Sequence, residues 1–451
     1  MVYILGLALI LRLVLINQSL WLDEAIQALA LMGRMGPLMT YALADFQPPL
    51  YHLIGWLWTS IFGYSEVALR TPALLAGLGT VYYVAKIGEV LGGKKVMYLA
   101  GLLAATNPLL IYYSQEGRTY GLTTFFVTAA IYYFLQSINN TSNKLGTFNS
   151  VLYTIFSALF LWTSYLSWFL HLALFVYVLF LRRRDLIVSQ IIAGLTLIFW
   201  LPSLISSLGI GLSTVANSPE WGSIVGGISL KALALTWVKA NIGRISIDND
   251  LLYGTFAVSL LALHLFVLSR VKLKSYLSNK KYQILLAWLS AVPLAATASL
   301  VLPVYSYTRI MFVVPAYLLV LALALSHTRL RYAVLIISLQ LLALGYFWVN
   351  PEFHREGWRD VVRDHGKEVV YALPSRAQNA PLLYYGVPRS QIIEPKTNVE
   401  LKSNIIIYIK YAEEVFDSSY VGEQKLKEAL YTLESQKVYP GLQIDIYENN
   451  N

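Results

Sequence analysis

Along most of the chain the apolar positions neither alternate nor form a narrow stripe. They run on in stretches close to the roughly 20 residues that carry a helix across a hydrocarbon core about 30 Å thick. Eleven such stretches are legible, at 3–19, 66–90, 97–113, 119–136, 150–164, 167–181, 186–206, 251–269, 283–302, 310–326 and 332–349. The segment 49–63 is apolar and rich in Trp and Tyr but short for a span. Lys and Arg concentrate in the loops that stay on the cytoplasmic side. The clusters Lys94/Lys95, Lys144, Arg182–Arg184, Arg270–Lys281 and Arg329/Arg331 fall on one side only if 49–63 remains outside, as an interfacial or re-entrant helix. The expected topology is therefore N-terminus in and C-terminus out, with the first span uncleaved.

From residue 350 the period changes. Trp358 opens an amphipathic helix, and 368–373, 391–394, 404–410 and 442–447 read as strands. The segment 424–435, apolar at Leu426, Ala429, Leu430 and Leu433, reads as a second helix. The expected architecture is an α-helical polytopic membrane domain over 1–349, with outer interfacial helices, followed by a small α/β domain outside the membrane over 350–451.

Composition agrees: 57% of residues are hydrophobic and 13% charged, about half the charged share of a soluble protein. The chain has no cysteine, which removes disulfides, thiolate metal sites and a cysteine nucleophile. Its +9 net charge is uneven. Residues 1–349 hold 22 Lys and Arg against ten Asp and Glu, the tail 12 against 15. No continuous basic soluble face exists to hold nucleic acid.

The topology gathers the rare acids. Of the ten in 1–349 only Glu89 and Asp185 belong clearly to the cytoplasmic side. Asp23 and Glu24 follow the first span in Trp21-Leu22-Asp23-Glu24-Ala25, and Asp45 and His52 bracket Gln47-Pro48-Pro49-Leu50-Tyr51. Glu116 and Arg118 lie in Ser114-Gln115-Glu116-Gly117-Arg118-Thr119-Tyr120, and Arg309 precedes a late span. Ionised groups at a bilayer edge are functional candidates by default. A carboxylate can take the proton of an attacking hydroxyl; an arginine fork matches phosphate oxygens. The plainer readings are that Asp23 and Glu24 cap a helix starting near Ala25, that Arg118 pairs with Glu116, and that Arg309 anchors at the interface. His52 with Asp45 or Glu24 could hold a divalent cation or contact an acceptor. Arg12, inside the first span, demands a partner or a polar cavity.

The runs Leu20–Ala25, Gln47–Tyr51 and Tyr112–Tyr120, with Tyr307-Thr308-Arg309-Ile310, resemble the protein-mannosyltransferase/aminoarabinose-transferase branch of the GT-C glycosyltransferases, most of all its prokaryotic RgtA/B/C/D-like group. The resemblance covers most of 1–330. It implies a plasma-membrane enzyme that takes a sugar from a polyprenyl-phosphate carrier, with inversion, for a protein, lipid or glycan acceptor. It further implies Asp23 as general base with Glu24 beside it, Glu116, Arg118 and Tyr120 in the donor pocket, and Arg309 on the lipid phosphate. Thr163-Ser164-Tyr165 departs from the Thr-His-Tyr of many relatives. A lipid-glycan flippase would instead place polar residues through the midplane, and a membrane-anchored sensor would leave the outer carboxylates and arginines without a task.

Overall fold

A computed structural model describes residues 1–139, 144–217, 227–271, 278–395 and 403–449, the side chains of 144, 145 and 210–217 excepted. Lys272 and Lys274 of the Arg270–Lys281 cluster lie outside the described residues. The helices in order are α1 (Val2–Leu13), α2 (Leu22–Leu31), α3 (Met35–Ala44), α4 (Leu50–Phe62), α5 (Glu66–Thr106), α6 (Pro108–Ser114), α7 (Thr119–Asn139), α8 (Lys144–Leu161), α9 (Ser167–Leu181), α10 (Arg184–Leu195) and α11 (Leu201–Asn217). After these come α12 (Leu230–Ile242), α13 (Asp250–Leu268), α14 (Lys280–Leu289), α15 (Ala291–Ala298), α16 (Val314–Ser326) and α17 (Leu330–Val349).

Among the described residues five stretches are long and apolar enough to cross a membrane: 66–106, 119–139, 184–209, 250–268 and 330–349. The first is two helices in one, because Gly92 and Gly93 leave helical geometry, Gly93 at φ +75°. This break lies where the sequence separates two spans and where Lys94 and Lys95 sit. Large apolar side chains such as Phe199 and Val258 stand exposed on these helices, as does Phe180 on the shorter apolar helix α9, as lipid-facing residues do. Hydroxyls inside the spans are met locally: Thr123, Thr124 and Thr128 each donate to the carbonyl four residues back.

The chain divides into two compact units. One comprises 1–14, 39–58 and 70–346; the other joins 15–38 and 59–69 to the tail from 347. In the second unit a five-stranded sheet runs in the order β2 (Ile392–Ile393), β1 (Val370–Ala372), β3 (Ile405–Lys410), β5 (Leu442–Asn449), β4 (Tyr431–Tyr439). The β1 pairs are parallel, those of β5 antiparallel. The Ile-rich β3 is central and buried on both faces. Ile407 and Ile409 pack with Trp358, Tyr371 and Leu382, while Ile406 and Tyr408 pack with Leu426 and Tyr447.

Helix α18 (Trp358–His365) forms as expected; the expected helix at 424–435 does not. Helix α21 (Val421–Glu428) ends within that segment and β4 begins at Tyr431; α19 (Ala380–Tyr384) and α20 (Glu413–Phe416) lie between α18 and α21. The reason is pairing. Pro440-Gly441 turns the chain so that 431–439 lies antiparallel on β5, and that ladder outweighs the weak helical pattern of the overlapping residues.

Candidate active site

In the first unit the polar residues centre on the turn between α6 and α7. Its base is Arg12, which is fully buried. The guanidinium donates to Ser114 Oγ (3.1 Å) and to the carbonyls of Ala8, Ala104 and Ala105 at 3.0–3.2 Å. Carbonyls are a usual counterpart for an intramembrane arginine. Gln115 returns the favour, its Nε2 donating to Arg12 O (2.8 Å) and Val14 O (2.5 Å). A Cβ on Gly77 would stand 2.1 Å from Ser114 Oγ, so only glycine admits this packing. Arg12 thus fixes the start of the Ser114–Tyr120 motif.

Beyond it, Glu116 is buried and Arg118 partly exposed, with the Arg118 amide donating to Glu116 O at 2.8 Å. The Arg118 charge faces Asp45, beside which α4 brings His52. His52 Nε2 stands 3.0 Å from Asp45 Oδ2, the two side chains 1% and 12% exposed. Phe46 N donates to Asp45 Oδ1 at 2.8 Å. Burial pushes the Asp45 carboxyl up, but His52, the Arg118 charge and the Phe46 amide outweigh it and hold it below the ordinary carboxylate value. The dyad supplies two ligands for a cation; among the described residues no third His, Cys, Asp or Glu joins them.

Aromatic rings floor this region. Tyr113 meets Tyr112 and Tyr120 edge-on at 5.0 and 5.1 Å. Onto them comes Arg244, not singled out from the sequence as a site residue. Its guanidinium lies 5.1 Å from the Tyr112 ring centre and 3.4 Å from Tyr113 Oη. Gly243 makes the approach, at φ +70° and with room for no Cβ, which would stand 2.8 Å from Pro108 Cβ. Lys239 Nζ ties down the same loop through Ile245 O at 2.6 Å. In sequence it is one more basic residue of a long loop, and Gly-Arg steps recur at 33–34 and 117–118. Tyr307 lies within electrostatic reach of Tyr113 and Arg244, which brings the Arg309 turn to the motif. Arg309 itself donates to Val304 O of its own turn at 3.3 Å.

The second unit holds Asp23 and Glu24. Helix α2 begins at Leu22, three residues before the expected start, and Trp21 occupies the N-cap without a side-chain cap. Both acids therefore sit in the first turn, where the helix dipole favours negative charge, and neither is the cap. They diverge in environment. Asp23 is half-buried, whereas Glu24 is buried with Arg355, Oε2 to Nη1 3.7 Å.

Residues 46–207 match the family model of dolichyl-phosphate-mannose-protein mannosyltransferases. No curated protein matches the chain in sequence. Among solved structures, ArnT from Cupriavidus metallidurans in the apo state superposes with TM-score 0.62 at 11% identity, over 99% of this chain and 97% of that one. ArnT bound to undecaprenyl phosphate gives 0.58 at 11%, with the same coverage. The Archaeoglobus fulgidus oligosaccharyltransferase, in complex with Zn and sulfate, gives 0.55 at 14%, over 99% of this chain and 73% of that one. The chain thus shares the fold of these membrane glycosyltransferases, carries the mannosyltransferase family match over 46–207, and has several helices apolar and long enough to cross a membrane.

Proposed function

We propose that the enzyme transfers a single sugar from a polyprenyl-phosphate carrier to a hydroxyl of a protein, lipid or glycan on the outer face of the plasma membrane. The observation that carries the donor class is the basic, tyrosine-lined turn of the first unit. Arg118 and Arg244 stand on it and the Arg309 turn adjoins it. Planar guanidinium forks over aromatic rings suit a phosphate at the bilayer edge. That ArnT of the same fold was obtained with undecaprenyl phosphate supports the reading.

The reaction is one in-line displacement. The acceptor oxygen bonds to the anomeric carbon as the bond from that carbon to the phosphate oxygen breaks, which inverts the centre. Polyprenyl phosphate leaves with the electron pair, and Arg118 and Arg309 stabilise its charge. Asp23 takes the acceptor proton. It suits that task better than Glu24, whose charge Arg355 already engages. Glu116 and Tyr120 shape the donor pocket; Asp45 with His52 orients the acceptor or shares a divalent cation with it.

The test is transfer and donor binding measured together on purified protein. The donor is the lipid-linked sugar that accumulates in a deletion strain, identified by mass spectrometry. Asp23→Asn keeps shape but cannot accept the proton, so transfer should fall on the order of 10²–10⁴-fold with donor affinity kept. Near-normal transfer by that variant would remove Asp23 as the base.

A further inference from the structure

We propose that Arg355 is a positioning residue for the Asp23–Glu24 pair, so that the C-terminal unit is part of the catalytic machinery. The inference rests on the reading above that Asp23 is the base.

Three observations within the second unit carry it. First, the start of α2 is not fixed by its own sequence, since Trp21 provides no side-chain cap. Second, the residues leading into α2 are held one after another by the tail. Arg359 Nη2 donates to Asn17 O (3.0 Å) and the Arg355 amide to Gln18 Oε1 (3.2 Å). The Arg359 amide donates to Ser19 Oγ (3.1 Å), and Leu20 N donates to Tyr385 Oη (2.8 Å). Third, Arg355 reaches the motif itself through the Glu24 ion pair, its side chain 3% and that of Glu24 2% exposed. This buried ion pair restrains the first turn of α2, which also carries Asp23, the preceding residue about 100° away round the helix.

A pair retained for stability alone would be an odd choice, because apolar residues of like volume usually serve a core as well or better. A pair that sets the direction of the adjacent base explains why both charges are kept. Beyond Arg355 the network continues: Glu356 Oε1 accepts from Tyr411 Oη at 3.2 Å, and Tyr411 packs edge-on against the buried Trp358 at 5.4 Å. The register of the tail core is thereby linked to the motif.

The experiment compares the full-length wild type with Arg355→Met, Arg355→Lys, Tyr385→Phe and Asp23→Asn. Each is assayed for transfer kinetics with the purified lipid-linked sugar and for affinity toward undecaprenyl phosphate. Melting temperature is recorded as a control. Arg355→Met should lower kcat on the order of 10²-fold, the scale of a 1 Å misplacement, with KM for the donor and the affinity for undecaprenyl phosphate nearly unchanged. Arg355→Lys should recover part of that loss, keeping charge but not the planar fork. Tyr385→Phe, which removes a single hydroxyl, should lower kcat in the same selective way, and it tests the grip even if Arg355→Met does not fold. Wild-type kcat in folded Arg355→Met, or in Tyr385→Phe where Arg355→Met is not obtained, overturns the inference. So does a loss of kcat and donor affinity in equal proportion. If Asp23→Asn transfers normally the base assignment fails first; if it is inactive while Arg355→Met is normal, only the positioning role falls.

Discussion

Arg12 Nε donates to Ser114 Oγ at 3.1 Å across 102 residues of sequence, and the guanidinium also donates to main-chain carbonyls of α1 and α5. The guanidinium links the first span to the turn that carries Glu116 and Arg118. Arg12→Met should lower stability by at least about 2 kcal/mol, since one hydrogen bond to a charged group is worth about 1.5–3 kcal/mol. It should also weaken affinity for undecaprenyl phosphate, because the turn loses its anchor. Melting in detergent and lipid-phosphate binding check the two effects; unchanged values for both would reduce Arg12 to a bystander. Gly77→Ala should mimic the loss, as its Cβ would collide with Ser114 Oγ.

The Asp45–His52 contact makes a pH prediction. The folded protein holds the Asp45 proton less tightly than the unfolded chain, since its carboxyl lies below the ordinary value. The contact therefore contributes stability above the ordinary carboxylate pKa of about 3.9, and this is lost as pH falls through the lowered value. Asp45→Asn should melt lower than wild type at pH 7, by about 1.5–3 kcal/mol for the lost charged hydrogen bonding. Its melting temperature should change less between pH 5 and pH 3. Parallel pH profiles for the two proteins would show that the pair contributes nothing.

Much of this was legible in the sequence, and the failures have physical causes. Apolar runs locate the long helices because bilayer thickness sets helix length. The kink at Gly92–Gly93 was legible for the same reason. The polar motifs marked the turns at Asp45–His52 and Ser114–Tyr120, where the structure gathers charged and aromatic side chains. What could not be read was partnership across distance. Arg12 demanded a partner, but nothing in the local pattern points to the carbonyls of Ala104 and Ala105. Arg244 looked like one more loop charge, because its approach to Tyr112 depends on the backbone of Gly243. The pairing of Glu24 with Arg355 spans most of the chain. At 431–435 a helical pattern lost to a strand pairing that depends on a turn several residues further on.

Topology is testable because the chain has no cysteine. Single cysteines at Ser246 and Ser418, both exposed, should react with an impermeant maleimide on intact cells. A cysteine at Ser269, exposed at the end of α13, should react only after permeabilisation. Labelling at Ser269 alone would invert the orientation on which the outward-facing site depends.

Gly243→Ala tests the placement of Arg244. At φ +70° an alanine costs about 1–2 kcal/mol from backbone strain alone, and the contact with Pro108 displaces the loop. Affinity for undecaprenyl phosphate should fall, and Arg244→Ala should lower it too with little change in melting temperature. Arg244→Lys keeps the charge but gives up stacking on Tyr112, so it should restore affinity only in part. Wild-type affinity in Arg244→Ala would leave Arg118 and Arg309 as the phosphate-binding pair.

Glu356 supplies the opposite pH dependence from Asp45. Burial pushes its carboxyl up to about 7, against the pull of its own backbone amide, Tyr411 and Arg355, while Glu24 adds to the rise. Its Oε2 is buried with no hydrogen-bond partner among the described residues, an environment that favours the neutral acid. The folded protein thus binds this proton more tightly than the unfolded chain. The stability it contributes is full below the ordinary glutamate pKa of about 4.3 and is lost as pH rises through about 7. Glu356→Gln is neutral at every pH and should escape that loss. Relative to wild type, the variant should gain melting temperature steadily from pH 5 to pH 8, with the two closest at the acid end. The measurement is thermal unfolding of the full chain in detergent at pH 5, 6.5 and 8. A constant difference between the two proteins across that range would mean Glu356 titrates as an ordinary surface carboxylate.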